Sequence, residues 1–374
     1  MDEWIDRKTA LGLLGVKAQT LYAYVSRRRL STQPDPLDPR RSLYRHEDIA
    51  ALATRRARGR KTAAIAESSM AWGEPAISTA LSMVHHGRLY YCGQDAIELA
   101  RTATLEEAAA LLWDAREPVR FEPAACGAQD PFVALGAFVR ESEATLGRSR
   151  ERLCRDAGKM VGLLLSAVGC DASDAPAHLR LARRWGLDEA GATRIRQALV
   201  AMADHDLNAS TFATRVAAST GASMAANVLA GLCALSGPKH GGVSAAIMSL
   251  LEQAEQIGPA LAFQRWLDRG TGLPGFGHPL YPGGDPRGAL MLENLTLDPL
   301  MAQICELAAA TAGLLPNCDF ALAALVRAWA LPAEAPFVLF MIGRSVGWCA
   351  HAMEQILQGQ LIRPRGRYVG ALPQ

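Results

Sequence analysis

Two histidines stand inside glycine-rich loops, and these loops constrain the chain more than any other feature of its sequence. The first loop reads SGPKHGG at residues 236–242, and the second reads GFGHPLYPGGDPR at residues 275–287. Glycine lets the backbone approach a bound molecule closely and adopt positive φ angles. One His-Gly pair alone indicates no more than a turn, but two long loops of this kind indicate two halves of one site.

Length and composition predict a helical protein of more than one domain. The chain has 374 residues, which is too long for one small core. Half of the residues are hydrophobic, with alanine and leucine dominant and few β-branched runs. Such a composition favours helix over strand, so we expect an all-α fold. Helical patterns predict helices at residues 132–143, 150–168, 176–185 and 189–202, and one further helix from residue 211 to about residue 235. Thr104 followed by Glu107 predicts a capping box at a helix start.

The cysteines and the apolar runs bear on the cellular compartment. The eight cysteines are scattered and form no C-x-x-C pair, which argues against a zinc site or a disulfide framework. No apolar run approaches the length that crosses a bilayer, and the acidic N-terminus does not resemble a signal peptide. We therefore expect a cytoplasmic protein with no membrane segment and no metal site.

Charge is distributed unevenly along the chain. Residues 1–61 contain 14 Lys and Arg against 7 Asp and Glu, whereas the remainder contains 25 basic and 30 acidic residues. A basic segment joined to a mildly acidic body predicts a separate partner for that segment, and a polyanion would fit.

The basic segment has the proportions of a helix-turn-helix. Residues 7–14 predict a short helix that stops at Gly15, and residues 17–28 predict a second helix. A proline-rich loop or wing follows at residues 30–41, and a closing segment with a third short helix follows at residues 42–52.

This segment resembles the winged helix-turn-helix of MerR-like and excisionase-like proteins, through ALGLLGVKAQTLYAY at residues 10–24 and YRHEDI at residues 44–49. The resemblance implies that the second helix enters the major groove of DNA while the wing meets phosphates. The residues implied at the DNA are Lys17, Gln19, Thr20, Arg27, Arg28, Arg40 and Arg41. The alternative, which stays open, is a small helical module that docks on protein while its arginines are solvated.

The body resembles the citrate synthase family. That family carries GP-x-HGG, G-[FY]-GH…DPR and N-x-D in this order, and they stand here at residues 237–242, 275–287 and 317–319. An entry segment of the same family is similar to GRLYYCG at residues 87–93 and to TLEEAAALLW at residues 104–113. The match runs from about residue 77 to residue 367.

The resemblance implies a fold of two helical domains. A large domain would comprise residues 76–235 and 326–374, and a small domain would comprise residues 236–325. A winged helix-turn-helix domain at residues 1–55 and a basic linker at residues 56–75 would precede them.

The resemblance also implies a reaction, the condensation of acetyl-CoA or another short acyl-CoA with oxaloacetate. His240, His278 and Asp319 would be catalytic, with Asp319 as the base. His205 would bind oxaloacetate, together with Arg287 and Arg344. The CoA contacts would come from Gly275, Phe276 and Gly277, and no cofactor would be needed. Arg363 would act on the site of a second copy, which implies a homodimer.

Several positions depart from the family pattern. Val243-Ser244 follows the first loop where Ala-Asn is usual, and Cys92 replaces an arginine. Pro279 and Pro282 stand where basic residues are common, the second of them near the CoA phosphates. These changes leave open the acyl-CoA, acetyl or propionyl, and the direction of reaction, because citryl-CoA cleavage would use the same residues. A metabolite-sensing, DNA-binding regulator is the alternative from another class.

Overall fold

The computed structural model describes residues 4–16, 21, 24–25, 30–36, 38, 41–50, 77–270, 272–365, 368 and 370. Contacts divide the chain into two compact units. The first comprises residues 1–78 and 365–374, and the second comprises residues 79–364.

The first unit begins with a strand and a capped helix. Helix α1 (Arg7–Leu14) starts at Asp6, whose carboxylate accepts a hydrogen bond from the Thr9 N–H, and ends at Gly15 with φ of 59°. The predicted first helix is therefore confirmed.

The same unit also contains a small sheet, of which the sequence had indicated only a loop or wing. Strands β1 (Trp4–Ile5), β2 (Thr32–Pro34) and β3 (Ser42–Arg45) pair antiparallel in the order β1-β3-β2. Its buried core consists of Ala10, Leu14, Leu21, Leu30, Tyr44 and Ile49.

Most of the residues predicted at DNA lie outside the described residues, namely Lys17, Gln19, Thr20, Arg27, Arg28 and Arg40, and so does the linker at residues 56–75. Arg41 is described and exposed, and its Nε lies 3.2 Å from the Asp38 carboxylate. The helix-turn-helix assignment stays a prediction.

The second unit is mostly helical. Its strands β4 (Ser82–His85), β5 (Arg88–Tyr91) and β6 (Gln94–Asp95) form an antiparallel sheet in chain order, a departure from the expected all-α fold. The helices are α2 (Ala96–Thr102), α3 (Leu105–Trp113), α4 (Pro131–Glu141), α5 (Arg150–Ala167), α6 (Ala177–Arg184), α7 (Glu189–Ala201), α8 (Ala209–Ser219), α9 (Met224–Leu235), α10 (Val243–Ile257), α11 (Pro259–Asp268), α12 (Pro286–Leu292), α13 (Pro299–Ala312), α14 (Cys318–Trp329) and α15 (Ala335–Gln358).

Local signals in the sequence explain several helix ends. Thr104 and Glu107 form the predicted capping box of α3, with the Glu107 N–H donating to Thr104 Oγ1 at 3.2 Å and the Thr104 N–H donating to Glu107 Oε2 at 2.7 Å. The helices predicted between residues 132 and 202 are confirmed as α4 to α7.

The single helix predicted for residues 211–235 is wrong, because two helices, α8 and α9, occupy this stretch. Gly221 has φ of 78°, a left-handed conformation that interrupts a helix. Ser223 then caps α9 by accepting a hydrogen bond from the Ala226 N–H. Thr145 binds the intervening turn, since its hydroxyl donates to the Ala222 carbonyl at 2.8 Å.

Two clusters of buried side chains account for most of this unit's core. The larger cluster draws on residues 81–235 and 318–353 together with Met291, and α15 runs through it. The smaller cluster draws on residues 247–324 and includes Phe263, Trp266 and Phe320. The domain boundaries at residues 236 and 325 stay a prediction. Among the described helices, none has the length and apolar character that crossing a membrane requires.

Candidate functional site

The second histidine loop is fastened to the segment that precedes α14. The Gly277 N–H donates to the Leu315 carbonyl at 2.8 Å, and the Asn317 N–H donates to the Gly275 carbonyl at 2.9 Å. The Asn317 side chain also donates to the Gly277 carbonyl at 3.1 Å. Gly275 and Gly277 have φ of 82° and 70°, which L-residues rarely adopt. The glycines thus allow a backbone pairing that brings the loop to the start of α14.

Phe276, between these glycines, faces the protein interior. Its ring lies 4.9 Å from the ring of Phe320 on α14, and only 8% of the residue is exposed. Of the three residues predicted to contact CoA, Phe276 is therefore buried against Phe320. Gly275 and Gly277 provide the positive φ angles of the loop backbone.

Asp285 and Arg287 join the second loop to α14 by a buried ion pair. Arg287 donates from Nε to Asp285 Oδ1 at 3.0 Å and from Nη2 to Oδ2 at 2.8 Å. The Cys318 N–H donates to the same Oδ2 at 3.1 Å, so one carboxylate connects the loop to the first turn of α14. Burial disfavours the charge of Arg287, yet Asp285 outweighs it and raises the pKa of this guanidinium well above its usual value.

Asp319 lies in the first turn of α14, whose N-cap is Asn317. Burial raises the pKa of the Asp319 carboxyl to about 6, with Arg287 and Arg344 opposing the shift and Asp285 adding to it. A carboxylate with such a pKa is ionised at neutral pH and is a stronger base than an ordinary aspartate.

His278 is held by its own loop. The Leu280 N–H donates to His278 Nδ1 at 3.2 Å, so Nδ1 is the acceptor and a neutral ring carries its proton on Nε2. Burial, aided by Arg287, lowers the pKa of His278 to about 4, although Asp285 works against this shift. The ring is therefore neutral near pH 7 and offers one N–H donor.

His205 and Tyr281 lie beside His278. The His205 and His278 ring centroids are 5.0 Å apart, and His205 Nε2 lies 2.9 Å from the Tyr281 hydroxyl. Burial lowers the pKa of His205 well below its ordinary value, and Arg287 and Arg344 add to this effect. The structure thus brings His205 to the second loop, with Tyr281 as its partner.

His240, in the first loop, is held from two helices of the larger core. Its Nε2 lies 2.8 Å from the Ser210 hydroxyl on α8, and the Trp348 indole on α15 donates to the same oxygen at 3.1 Å. Burial lowers the pKa of His240 to about 4, with Arg344 and Arg287 contributing. His240 and Asp319 therefore lie in the field of the same two arginines.

Arg344 is almost fully buried on α15. Its Nε donates to the Met202 carbonyl at 3.0 Å, whereas its Nη2 has no hydrogen-bond partner in the described part of the chain. Gly343 and Gly347, on either side, let α15 approach the end of α7, because a Cβ at Gly347 would clash with the Ala203 carbonyl oxygen. A buried, unpartnered guanidinium nitrogen is suited to an anionic ligand.

Arg363 is not part of this cluster. It is exposed on the segment that follows α15. Its predicted action on a second copy stays a prediction.

Four residues that hold the predicted ones were not themselves predicted from the sequence. Ser210 and Trp348 hold His240, Tyr281 holds His205, and Asp285 holds Arg287. Asp285 precedes a proline at a helix start, which is an N-cap signal. The other three partners come together only through the fold. Over the described residues, no group of three or more His, Cys, Asp or Glu side chains could hold a metal ion.

Comparison with known proteins identifies the family of the chain. A sequence model of the citrate synthase C-terminal domain matches residues 166–365, more than half of the chain. This chain belongs to the citrate synthase family. A citrate synthase of Haloferax volcanii is 29% identical over 346 residues, covering 76% of this chain and 90% of the relative.

Other relatives match over shorter stretches. Citrate synthase 2 of Bacillus subtilis is 34% identical over 185 residues, which cover 46% of this chain and 50% of the relative. A 2-methylcitrate synthase of Shewanella oneidensis is 33% identical over 186 residues, covering 47% of this chain and 50% of the relative. The chain thus spans about half the length of many curated relatives that it matches.

Solved structures show the citrate synthase fold. The citrate synthase of Thermotoga maritima aligns with a TM-score of 0.68 at 23% identity, over 82% of this chain and 97% of the other. A Thermoplasma acidophilum citrate synthase, in ternary complex with carboxymethyl coenzyme A and oxaloacetate, aligns with a TM-score of 0.68 at 22% identity, over 83% and 97%. The expected citrate synthase fold is confirmed.

Proposed function

We propose that the chain condenses a short acyl-CoA with oxaloacetate to give CoA and either citrate or, from propionyl-CoA, 2-methylcitrate. One observation carries the proposal: a carboxylate of raised pKa, Asp319, and a neutral imidazole, His240, share the field of two buried arginines. The named activities of the relatives, citrate synthase and 2-methylcitrate synthase, support the same reaction class.

Proton removal would start the reaction. Asp319 takes a proton from the carbon next to the thioester carbonyl, and negative charge develops on the thioester oxygen. His240 donates a hydrogen bond to that oxygen. The one proton of the Ser210 hydroxyl has two acceptors at 2.8 Å, Asn208 Oδ1 and His240 Nε2. In the state in which it is donated to His240 Nε2, the proton of the neutral ring lies on Nδ1 and is free for the substrate. Trp348 stabilises this arrangement by donating to the Ser210 oxygen.

Bond formation would follow at the ketone of oxaloacetate. The deprotonated carbon attacks the ketone carbon, and the ketone oxygen gains negative charge and then a proton. The His278 Nε2–H polarises that oxygen. Water then hydrolyses the condensed thioester, which yields the new carboxylate and releases the CoA thiol. Arg344 and Arg287 hold substrate carboxylates, and His205 helps to position the dicarboxylate.

A second copy would complete the site. Arg363 is exposed in one copy, so it is available to reach a carboxylate in the site of a partner in a homodimer.

We place this enzyme in the cytoplasm, because its eight cysteines show no disulfide framework.

Thiol release from acetyl-CoA, measured with and without oxaloacetate, tests the proposed reaction. We expect oxaloacetate-dependent release, with propionyl-CoA tested in parallel. Asp319→Asn removes the base and should lower kcat by about 100-fold or more. Asp268→Asn, an exposed aspartate on α11, is the matched control and should retain activity. No release from either thioester would overturn the proposal.

A DNA-binding role for residues 1–60 is a second candidate, favoured by their excess of basic residues. Gel-shift titration of the whole chain against promoter fragments of its own organism tests it. Binding should weaken steeply with salt, and Arg40→Ala with Arg41→Ala should weaken it further. Absence of any salt-sensitive shift would exclude this role.

A further inference from the structure

Five apolar residues on the second histidine loop and on the segment before α14 have exposed or partly exposed side chains, and we define them as the apolar rim: Pro279, Leu280, Pro282, Leu314 and Leu315. Leu315 is 46% exposed, although it stands only four residues before the candidate base. The two prolines are exposed, and the other two leucines are partly exposed. Exposed leucine and proline at the edge of a candidate active site indicate contact with an apolar part of a ligand.

The backbone holds this apolar rim in place. The Gly277 N–H donates to the Leu315 carbonyl, which fixes one leucine against the second loop. A Cβ at Gly284 would lie 3.1 Å from Leu315 Cδ1, and one at Gly277 would lie 3.2 Å from Leu314 Cδ2. The glycines therefore make room for the leucine side chains above the loop. A ligand would meet a preformed apolar surface rather than a loop that must reorganise.

The apolar rim carries no positive charge of its own. Residues 272–286 and 308–319 contain no lysine or arginine but do contain Asp285 and Asp319. The adjacent Arg287 is buried and already forms a bidentate ion pair with Asp285. In the two histidine loops the one lysine is Lys239, exposed next to His240. Phosphate groups gain affinity chiefly from arginine, lysine and free backbone donors, and the apolar rim supplies no such side chain.

We propose that this site binds the uncharged arm of its thioester substrate through the apolar rim and gains little binding affinity from phosphate groups. The substrate class is a thioester on an uncharged amide arm, of which acetyl-CoA is one member and S-acetylpantetheine, which lacks all phosphates, is another. This inference rests on the proposed condensation. Arg287 and Arg344 bind the dicarboxylate, and the apolar rim binds the thioester arm.

Comparison of three donors tests the inference directly. Thiol release with oxaloacetate is measured for acetyl-CoA, acetyl-3′-dephospho-CoA and S-acetylpantetheine at two ionic strengths. We expect kcat/KM for S-acetylpantetheine to lie within about threefold of that for acetyl-CoA, because no charged contact is lost. A fall of more than about tenfold on removing the phosphates would overturn the inference.

Side-chain variants locate the contact. Leu315→Ser should raise KM for all three donors about three- to tenfold, since it removes apolar contact area. Leu261→Ser, at a leucine of similar exposure on α11, is the matched control and should leave every KM unchanged. Lys239→Gln should leave the ratio of acetyl-CoA to S-acetylpantetheine unchanged. If Lys239→Gln weakens acetyl-CoA alone, this lysine binds a phosphate and the inference is wrong.

The outcomes separate this inference from the proposed function. Turnover of acetyl-CoA with none of S-acetylpantetheine overturns the inference and leaves the condensation intact. Turnover of neither donor overturns both. Turnover of both donors, with a common loss in Leu315→Ser, supports both.

Discussion

Arg287 and Arg344 are both almost fully buried, yet the fold treats their charges differently. Arg287 is 2% exposed and forms a bidentate ion pair with Asp285, whereas Arg344 is 1% exposed and its Nη2 has no described partner. Asp285 raises the pKa of Arg287, while burial lowers the pKa of Arg344. Arg287 thus contributes to the architecture of the second loop, and the charge of Arg344 is left for a ligand to compensate.

Removing Asp285 should have the largest effect. Asp285→Ala leaves a buried arginine without its partner and also removes the acceptor of the Cys318 N–H. We expect the free energy of unfolding, measured by urea denaturation, to fall by about 3–5 kcal/mol.

Asp298 offers a matched control, because it too precedes a proline, caps a helix and pairs with an arginine, Arg327, at 2.9 Å. The Asp298 pair is more exposed, with side-chain exposures of 26% for Asp298 and 30% for Arg327. Asp298→Ala should therefore lower the free energy of unfolding by only about 1 kcal/mol. Equal losses for the two variants would contradict the distinction between a buried and an exposed pair.

Removing the side chain of Arg344 should have little effect on stability without ligand. Arg344→Met deletes a buried charge that forms no ion pair with another described residue, so the free energy of unfolding should stay within about 1 kcal/mol of the wild type. Arg287→Met is the control and should lose about 3–5 kcal/mol, because Asp285 is left buried and unpaired.

Ligand addition reveals what Arg344 does. Oxaloacetate at 100 times its dissociation constant should stabilise the wild type by about 2.7 kcal/mol and should not stabilise Arg344→Met. Full stabilisation of this variant would remove Arg344 from the substrate site.

The sequence predicts those parts of the contrast between Arg287 and Arg344 in which the partners lie close together along the chain. The capping box at Thr104 and the helix start at Asp285 are local, because cap and helix lie within a few residues. The surroundings of Arg344 are not local: Met202 and Asp204 come from the end of α7, more than 130 residues earlier. No motif spacing predicts that, among the described residues, one of two buried arginines forms an ion pair and the other does not.

The prediction of secondary structure was wrong where a turn lies inside a sequence of high helix propensity. Residues 211–235 are rich in alanine, so helix propensity suggested one helix, but Gly221 in its left-handed conformation breaks it. The β4–β5 hairpin turns at His86 and Gly87, both with positive φ, and short strands of this kind carry little periodic signal.

Each arginine also lies near an aromatic ring. The ring near Arg287 belongs to Tyr281, and the hydroxyl of that residue gives a smaller test. The Arg287 guanidinium lies 5.6 Å from the Tyr281 ring centroid, and that of Arg344 lies 5.1 Å from the Phe340 centroid. Tyr281→Phe keeps the ring but leaves His205 Nε2 without its partner, so we expect a loss of about 1–2 kcal/mol in the free energy of unfolding. Tyr90→Phe, half-buried on β5, is the control and should lose less. An unchanged stability for Tyr281→Phe would mean that water replaces the hydroxyl.

The pH dependence of the reaction gives the finest test of the two arginines. Asp319 must be ionised to act as a base, and its pKa is about 6, so kcat/KM should rise as pH increases towards that value and level off above it. The histidines do not add to this limb, because the pKa values of His240 and His278 are about 4.

Both arginines lower the pKa of Asp319, but a change at Arg287 would also break its ion pair with Asp285. Arg344→Gln removes a cation that favours the ionised carboxylate, so the rising limb should move to higher pH, measured with oxaloacetate raised until the rate of each variant no longer increases. Arg344→Lys keeps the cation and should hold the limb near its original position. If the limb moves equally in both variants, the charge of Arg344 is not what sets the pKa of Asp319, and Arg287 alone would account for it.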